Sequence, residues 1–454
     1  MSDSLSSEEV SKSMWDSLPP EIVTDVFLRL PVKSIITCTC VSKTWKYLIQ
    51  NPTFISNHLH HSNNNNHPLL LFGLNEENAK EQYVLHFDDN QDFNEYTRFD
   101  CDPFRVVGTC NGLIFLADDS YRHCYIIYNP RVRKFVKLPK PNISFSSHGG
   151  YNASGFGFDS KTNDYKVVRF VTLEQKVQKG KSPPEVEVYS LSTGKWRMIT
   201  ALPPIAFARD RDSRAFVNGA LHWVALREPR NERLVFVMVF DLGEEVFREI
   251  ALPEPWMSVS ISAYGNSLAL FQFSIHCLRS SIWVMKDYAD ASSWTKIITL
   301  SDEGLIEGIP IPRPIGFRKS GEFILDMYGE YLVSRDLETQ EIKDLRIRGY
   351  GCYLVDSYVE SLVLLDKPNQ LRKRQKRKRN NDRQDTSYCQ AYFDENRFVD
   401  QCYIRSTGFS QDAKHRIALG PNTPNSGKAA TLEVGIHKAF SGTALILFLR
   451  NGVA

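Results

Sequence analysis

From Leu69 to about Leu365 the chain alternates two short β-type units, and this alternation limits the possible folds more than any other feature. The first unit is a Gly-centred hairpin, Gly108-Thr109-Cys110-Asn111-Gly112-Leu113-Ile114-Phe115. It returns at Phe156–Val168, Phe216–Trp223, Ala263–Leu270 and Gly316–Leu325. Asn-Gly and Asp-rich turns between apolar runs signal hairpins, because these residues tolerate the positive φ of a tight turn. The second unit is a strand, a polar turn and a strand that often ends in Leu-Pro. It runs from Ile127 to Pro139, Val188 to Arg197 and Val239 to Pro253, with weaker copies at Ile282–Leu300 and Ser334–Leu345. Copies start about fifty residues apart, the period of a propeller blade. A four-stranded blade cannot bury both faces alone. Stacking blades in a ring solves that, and closing the ring removes exposed edges. The span therefore predicts an all-β propeller of about six blades; the competing arrangement is an open β-sandwich array. The last pair of strand-like runs, Tyr353-Leu354-Val355 and Ser361–Leu365, lacks partners of its own. Early strands at 69–73 and 82–87 are expected to complete that blade and so join the two ends of the domain.

A different period governs Trp15 to Phe54. Ile22, Val23, Val26, Phe27 and Leu30 recur at helical spacing. Pro19 and Pro20 suit a first helical turn, where a missing N–H costs nothing. Pro31 stops that helix. A second helix fits Val32–Cys40, and a third fits Ser42–Gln50 with Ser42 as N-cap. Asn51-Pro52 reads as the cap and first position of a fourth. A segment of roughly forty residues is marginal for a core of its own. Its load of Leu, Ile, Val, Phe and Trp must be covered by the rest of the chain or by a partner.

Three blocks of this segment resemble the F-box: Leu18-Pro19-Pro20-Glu21-Ile22, Leu30-Pro31-Val32-Lys33-Ser34 and Val41-Ser42-Lys43-Thr44-Trp45-Lys46. In that family the helical hairpin docks on a Skp-family adaptor, which joins it to a cullin ubiquitin ligase. The resemblance implies that Leu18, Pro19, Ile22, Leu30, Pro31, Val41 and Trp45 face the adaptor. The repeat region resembles the type 1 F-box-associated domain of the large plant F-box families. The blocks that carry this include Tyr128-Asn129-Pro130-Arg131, Gly155-Phe156-Gly157-Phe158-Asp159, Asp164-Tyr165-Lys166-Val167-Val168 and Asn218-Gly219-Ala220-Leu221-His222-Trp223. They lie within 69–300 and weaken beyond. No Gly-Gly doublet opens each blade, so true kelch repeats are not matched. The resemblance implies a non-catalytic, substrate-recognition subunit of an SCF-type ligase, whose propeller binds a target protein for ubiquitination. The alternative is a propeller scaffold outside ubiquitin transfer.

The fold class is thus mixed: a small all-α domain at 14–56, a linker at 57–68, the β-propeller at 69–366, and a basic linker with an irregular tail at 367–454. Residues 1–13 and the tail are expected to be disordered, and Thr443–Phe448 is a short apolar β-type run. His58, His60 and His61 fall in the polar linker, where chance histidines outweigh a metal site. A net charge of +2 argues against nucleic-acid binding by bulk electrostatics. The polar N-terminus has no apolar core of a signal peptide, and no apolar run reaches the length of a membrane span. Nine cysteines, an odd number with no CxxC pair, read as reduced thiols in cytoplasm or nucleus. Seven of the eight residues from Arg372 to Arg379 are basic, a pattern of nuclear-import signals and equally of solvated linkers. Phosphate-loop, metalloprotease and nucleophile-elbow motifs are absent, and no cofactor or metal is expected. His222, beside Trp223 in an apolar strand, reads as a packed histidine. Trp196, Phe247 and Trp294 recur at matching blade positions and read as blade packing rather than a ligand cage. Glu244 and Glu245 read as solvated turn residues. Target contacts are expected on propeller loops, with 172–185 and 203–214 (Arg209, Asp210, Arg211, Asp212, Arg214) as candidates and no single contact residue assigned.

Overall fold

The computed structural model describes residues 19–65, most of 68–367, and three strands beyond 367. Within 68–367 the segments outside the description are 76–80, 89–92, 102–103, 119–123, 144–149, 174–183, most of 202–213, 228–232, 257, 275–278, 302–311, 328–329 and 349–350. The chain divides into two compact units, one containing the helices and the other spanning Asn66–Arg405.

The helical unit holds α1 (Pro20–Leu28), α2 (Val32–Cys38), α3 (Lys43–Ile49) and α4 (Pro52–Asn65). Pro20 opens α1 behind Pro19, and Val23, Val26 and Phe27 turn its buried face inward. Pro31 then sits at the N-cap of α2. The Ser42 hydroxyl caps α3 by accepting the Trp45 amide at 3.1 Å. The Asn51 side chain accepts the Thr53 amide at 2.8 Å at the start of α4. One expectation is corrected. The stretch read as a linker from 57 continues α4 to Asn65, because Phe54, Ile55, His58 and Ser62 share its buried face. His58 Nε2 donates to the Leu30 carbonyl at 3.3 Å, and the Ser62 hydroxyl meets Nδ1 at 3.4 Å. Burial pushes the His58 pKa below its ordinary value. His58 is a core group that fastens α4 over the end of α1, not a linker residue.

The second unit is a ring of six four-stranded antiparallel blades. Blade 1 is Phe104–Cys110, Leu113–Asp118, Tyr125–Asn129 and Lys134–Lys137, written from the innermost strand outward. Blades 2 to 5 begin with the inner strands Gly150–Asp159, Arg214–Val217, Val259–Tyr264 and Arg313–Phe317. Blade 6 combines Gly351–Tyr358 with the early strands Leu69–Asn75, Glu81–Phe87 and Glu95–Phe99. Leu69 pairs with Tyr358 and Asn75 with Gly351, with one slip at Gly73/Leu74. Each inner strand neighbours the next, and the sixth returns to the first. In blades 1 to 5 the Gly-centred hairpins supply strands one and two, and the second units supply strands three and four. One part of the last-blade expectation is corrected: Tyr353–Val355 lies in a single inner strand, whereas Ser361–Leu365 forms no strand and turns from blade 6 onto the adjacent blade 1.

Strand direction sorts the connections. Turns from first to second and from third to fourth strand fall on one face of the ring, and connections from second to third strand and from blade to blade fall on the other. Asn111, Gly112, Asn163, Asn218, Gly219 and Gly265 take positive φ on the turn face. Gly112, at φ +77, needs its missing side chain twice over: a Cβ there would lie 2.5 Å from both the Val359 carbonyl and the Ser361 hydroxyl.

Between blades the recurring aromatic position is structural. Phe135, Trp196, Phe247 and Trp294 pair with Tyr128, Tyr189, Phe240 and Met285 on the third strands. The Trp196 indole donates to the Pro139 carbonyl at 2.8 Å, and Trp294 donates to Ala251 at 3.1 Å. Each indole thereby ties its blade to the end of the preceding one. In blade 5 the same position is Ile342, which is 60% exposed. His222 is fully buried, with Nε2 2.9 Å from the Tyr288 hydroxyl and Nδ1 3.3 Å from the Ala215 carbonyl. Burial pushes its pKa down to about 4. Glu245 departs from the solvated reading: it binds Lys166 at 3.0 Å and also Arg197. Burial alone would raise its pKa, but these two cations hold it below the ordinary carboxylate value. Beyond the propeller, His415–Leu419, Ala430–Ala439 and Gly442–Arg450 form a three-stranded antiparallel sheet. The tail is therefore not wholly irregular, and the Thr443–Phe448 run lies in its last strand.

Replacing Trp196 with Phe keeps the ring and orphans the Pro139 carbonyl; a loss of about 1–3 kcal/mol is expected in denaturant unfolding. For His222 the unfolded chain takes up a proton near pH 6.5 and the folded one only near 4. Stability is thus lost as pH falls through that window, by on the order of 3 kcal/mol. His222→Gln should flatten this part of the stability–pH curve relative to the parent protein.

Candidate functional site

The F-box-like blocks divide between surface and core. Ile22, on the first turn of α1, is 49% exposed, and Val41, just before the Ser42 cap, is 54% exposed. Pro19 and Pro31 are exposed at the starts of α1 and α2. Trp45 is half-buried, its ring edge-on to Phe27 at 4.9 Å. Leu30 is only 4% exposed, and its carbonyl is taken by His58. As placed, Leu30 builds the unit's own core and offers no apolar contact outward. The sequence pattern alone could not separate it from its exposed neighbours, because the burying group comes from α4. Leu18 lies outside the described residues.

One exposed group was passed over by the sequence reading. Tyr47 on α3 is 77% exposed. It stands two residues beyond Trp45, about 200° around the helix from the face that meets Phe27. Spacing from Trp45 is the signal that could have located it.

Ile22, Val41 and Tyr47 leave apolar side chains exposed on the helical unit. Among the described residues no group of three or more His, Cys, Asp or Glu is arranged for a metal. Among the same residues no helix is long and apolar enough to cross a membrane. The propeller's buried titratable groups are spent on internal contacts. Arg169 and Glu187, both fully buried, meet at 2.5 Å, and Glu187 accepts the Asn142 amide at 2.8 Å. Arg318 and Asp88 meet at 2.7 Å between blades 5 and 6. Of the loop candidates, Arg209 to Asp212 and most of 172–185 lie outside the described residues. Arg214 donates to the Ser154 carbonyl at 2.5 Å and so braces blade 3 on blade 2.

Exposure and burial make opposite demands on neighbouring positions. Ile22→Asp should change unfolding stability by no more than about 0.5 kcal/mol. Phe27→Ala should cost about 3–5 kcal/mol. Equal losses in thermal melts of the two variants would mean that Ile22 is not a surface residue.

Comparison with known proteins agrees with this division. An F-box domain model matches residues 15–57, and an F-box associated beta propeller domain model matches 58–367. The latter is the form designated FBA_3, where the sequence blocks resemble type 1. The F-box protein CPR1 of Arabidopsis thaliana is 30% identical over 381 residues, covering 77% of this chain and 89% of that protein. The F-box protein At3g07870 of Arabidopsis thaliana is 26% identical over 379 residues, covering 74% of this chain and 88% of that one. The F-box/kelch-repeat protein At3g23880 of the same organism is 25% identical over 318 residues, covering 64% and 82%. With an exposed helical surface ahead of a closed six-bladed ring, and matches that extend over both, the chain belongs to the plant F-box proteins that carry an F-box-associated β-propeller.

Proposed function

We propose that this protein is the substrate receptor of an SCF-type cullin ubiquitin ligase, docking on a Skp-family adaptor through its helical unit and on a target protein through its propeller. The observation that carries the reading is the exposure of Ile22 and Val41 within the F-box blocks. Water-exposed β-branched apolar groups next to an ordered core are stabilised when a partner covers them. Pro19, Pro31, Trp45 and Leu18 extend the proposed contact, while Leu30 supports it from beneath. No covalent step is asked of this chain. Holding a target beside the ubiquitin-charged enzyme raises the effective concentration of its lysines, which is how a bridge accelerates transfer.

The target is assigned to the loop face of the ring. The turn face carries the Asn and Gly positions whose positive φ restricts sequence, and both ends of the blade 6 closure reach it at Leu69 and Tyr358. Longer connections on the opposite face can vary without disturbing the blades. The basic tract Arg372–Arg379, outside the described residues, is read as a nuclear-import signal, so the protein is assigned to nucleus as well as cytoplasm.

Co-purification with a recombinant Skp-type adaptor tests the docking. The parent protein should retain it, and Ile22→Asp with Val41→Asp should release it while the melting temperature stays within about 2 °C. Undiminished recovery by that folded double variant would reject the assigned surface. Adaptor-free parent protein would instead favour the scaffold reading. For the tract, a fluorescent fusion with its seven basic residues changed to Ser should leave the nucleus; unchanged nuclear signal would reject the import reading.

A further inference from the structure

The chain does not leave the ring where its last blade strand ends. Beyond Tyr358, residues 359–367 cross from blade 6 onto blade 1 without forming a strand. Glu360 accepts the Tyr96 hydroxyl at 2.5 Å from the outer strand of blade 6. The same carboxylate meets Arg131 at 2.8 Å from a blade 1 turn, so one side chain spans the seam. Asn129 Nδ2 donates to the Ser361 carbonyl at 3.1 Å and the Val363 carbonyl at 2.9 Å. Lys134 Nζ donates to the Leu365 carbonyl at 2.6 Å and the Lys367 carbonyl at 2.5 Å. Ser361 and Leu362 are fully buried, and Leu364 enters the apolar layer shared by blade 1 and blade 2 residues such as Leu113, Phe156 and Trp196. On the inner side of the seam, Asp356 accepts both the amide and the hydroxyl of Thr109 at 3.0 Å. The Tyr358 hydroxyl donates to the Gly112 carbonyl at 3.2 Å.

We propose that residues 359–367 are a clasp that locks the closed ring, and that the working propeller ends at Lys367 and not with its last strand. Two features separate a lock from a trailing end. The grips come from blade 6, from blade 1 and from the layer beyond, so the clasp can be seated only when the seam is shut. Blade 1 also reserves groups for it: Asn129 and Lys134 are satisfied by clasp carbonyls, and Gly112 leaves room that a side chain would fill. A ring whose ends meet through a single strand pairing opens at that pairing first. The clasp adds a second fastening on the outer side of the same seam.

Hydrogen exchange by mass spectrometry on the full-length chain tests the clasp. Asn129→Ala with Lys134→Ala should speed amide exchange about tenfold or more in the closing pair of strands, Gly351–Tyr358 and Leu69–Asn75. Val259–Tyr264, across the ring, should stay within about twofold of the parent. Acceleration confined to 359–367, or spread evenly over six blades, would overturn the proposal. Where that double variant does not fold, Glu360→Gln reads the same seam. It weakens the Arg131 contact and keeps an acceptor for Tyr96, and about threefold faster exchange should again be confined to the two seam strands. Unchanged exchange there would also overturn the proposal.

Discussion

Everything in the larger unit depends on one pairing, that of Leu69–Asn75 with Gly351–Tyr358. Each blade alone has two apolar faces, and each face is covered only by a neighbour. An open row of blades would therefore leave two faces and two edges bare. The pairing joins segments separated by nearly the whole domain, so its loop-closure entropy must be met before its contacts can form. Five hairpin-rich blades can assemble locally. The sixth forms only when both ends are present, which makes the seam the last and least local part of the ring. Its reinforcements reflect that position: Asp88 binds Arg318 on one side of blade 6, and Thr109 binds Asp356 on the other.

Buried charge plays a second part. Arg169 and Glu187 face each other in register on adjacent strands of blade 2, and both are fully dehydrated. Such a pair gains little net stability, because desolvation offsets most of the Coulomb attraction. Breaking it by half would be costly, since one charge would be left alone. The pair is better explained by position. Glu187 also accepts the amides of Asn142 and Ile143, and Arg169 donates to the Ile143 carbonyl at 2.8 Å. Together they hold the connection that leads from blade 1 into blade 2. Lys166 acts similarly between blades 2 and 3, reaching Asp159, Glu245 and the Leu242 carbonyl. Charge here fixes how one blade meets the next, while apolar burial supplies the bulk of the stability.

Much of this was legible in the residues themselves. Turn chemistry at Asn111-Gly112 and Asn218-Gly219 marks the hairpins, and the recurrence of Trp196, Phe247 and Trp294 marks the fourth strands. The early strands at 69–73 and 82–87 could be assigned to the last blade because that blade was short of strands. What escaped depended on distant partners. Ser361–Leu365 is apolar enough to read as a strand, yet its carbonyls are taken by Asn129 and Lys134 side chains rather than by a ladder. His58 reads as linker because its neighbours are polar. Only the fold brings Leu30 against it. The same contact removes Leu30 from the candidate surface, while Ile22 and Val41 remain on it. Glu245 looked solvated because its counter-charges, Lys166 and Arg197, belong to another blade.

The two faces of the ring are therefore under different constraints. On the turn face, backbone conformation restricts identity: Asn111, Asn163 and Asn218 occupy left-handed positions that most side chains resist. The clasp fills part of that face with its own chain, and Leu364 there also takes a positive φ. A surface so occupied has little freedom to change partner. The loop face carries the connections that tolerate substitution and length change without altering strand register. Variation that leaves the ring intact therefore concentrates on that second face. Changes on the first would be felt as loss of the ring.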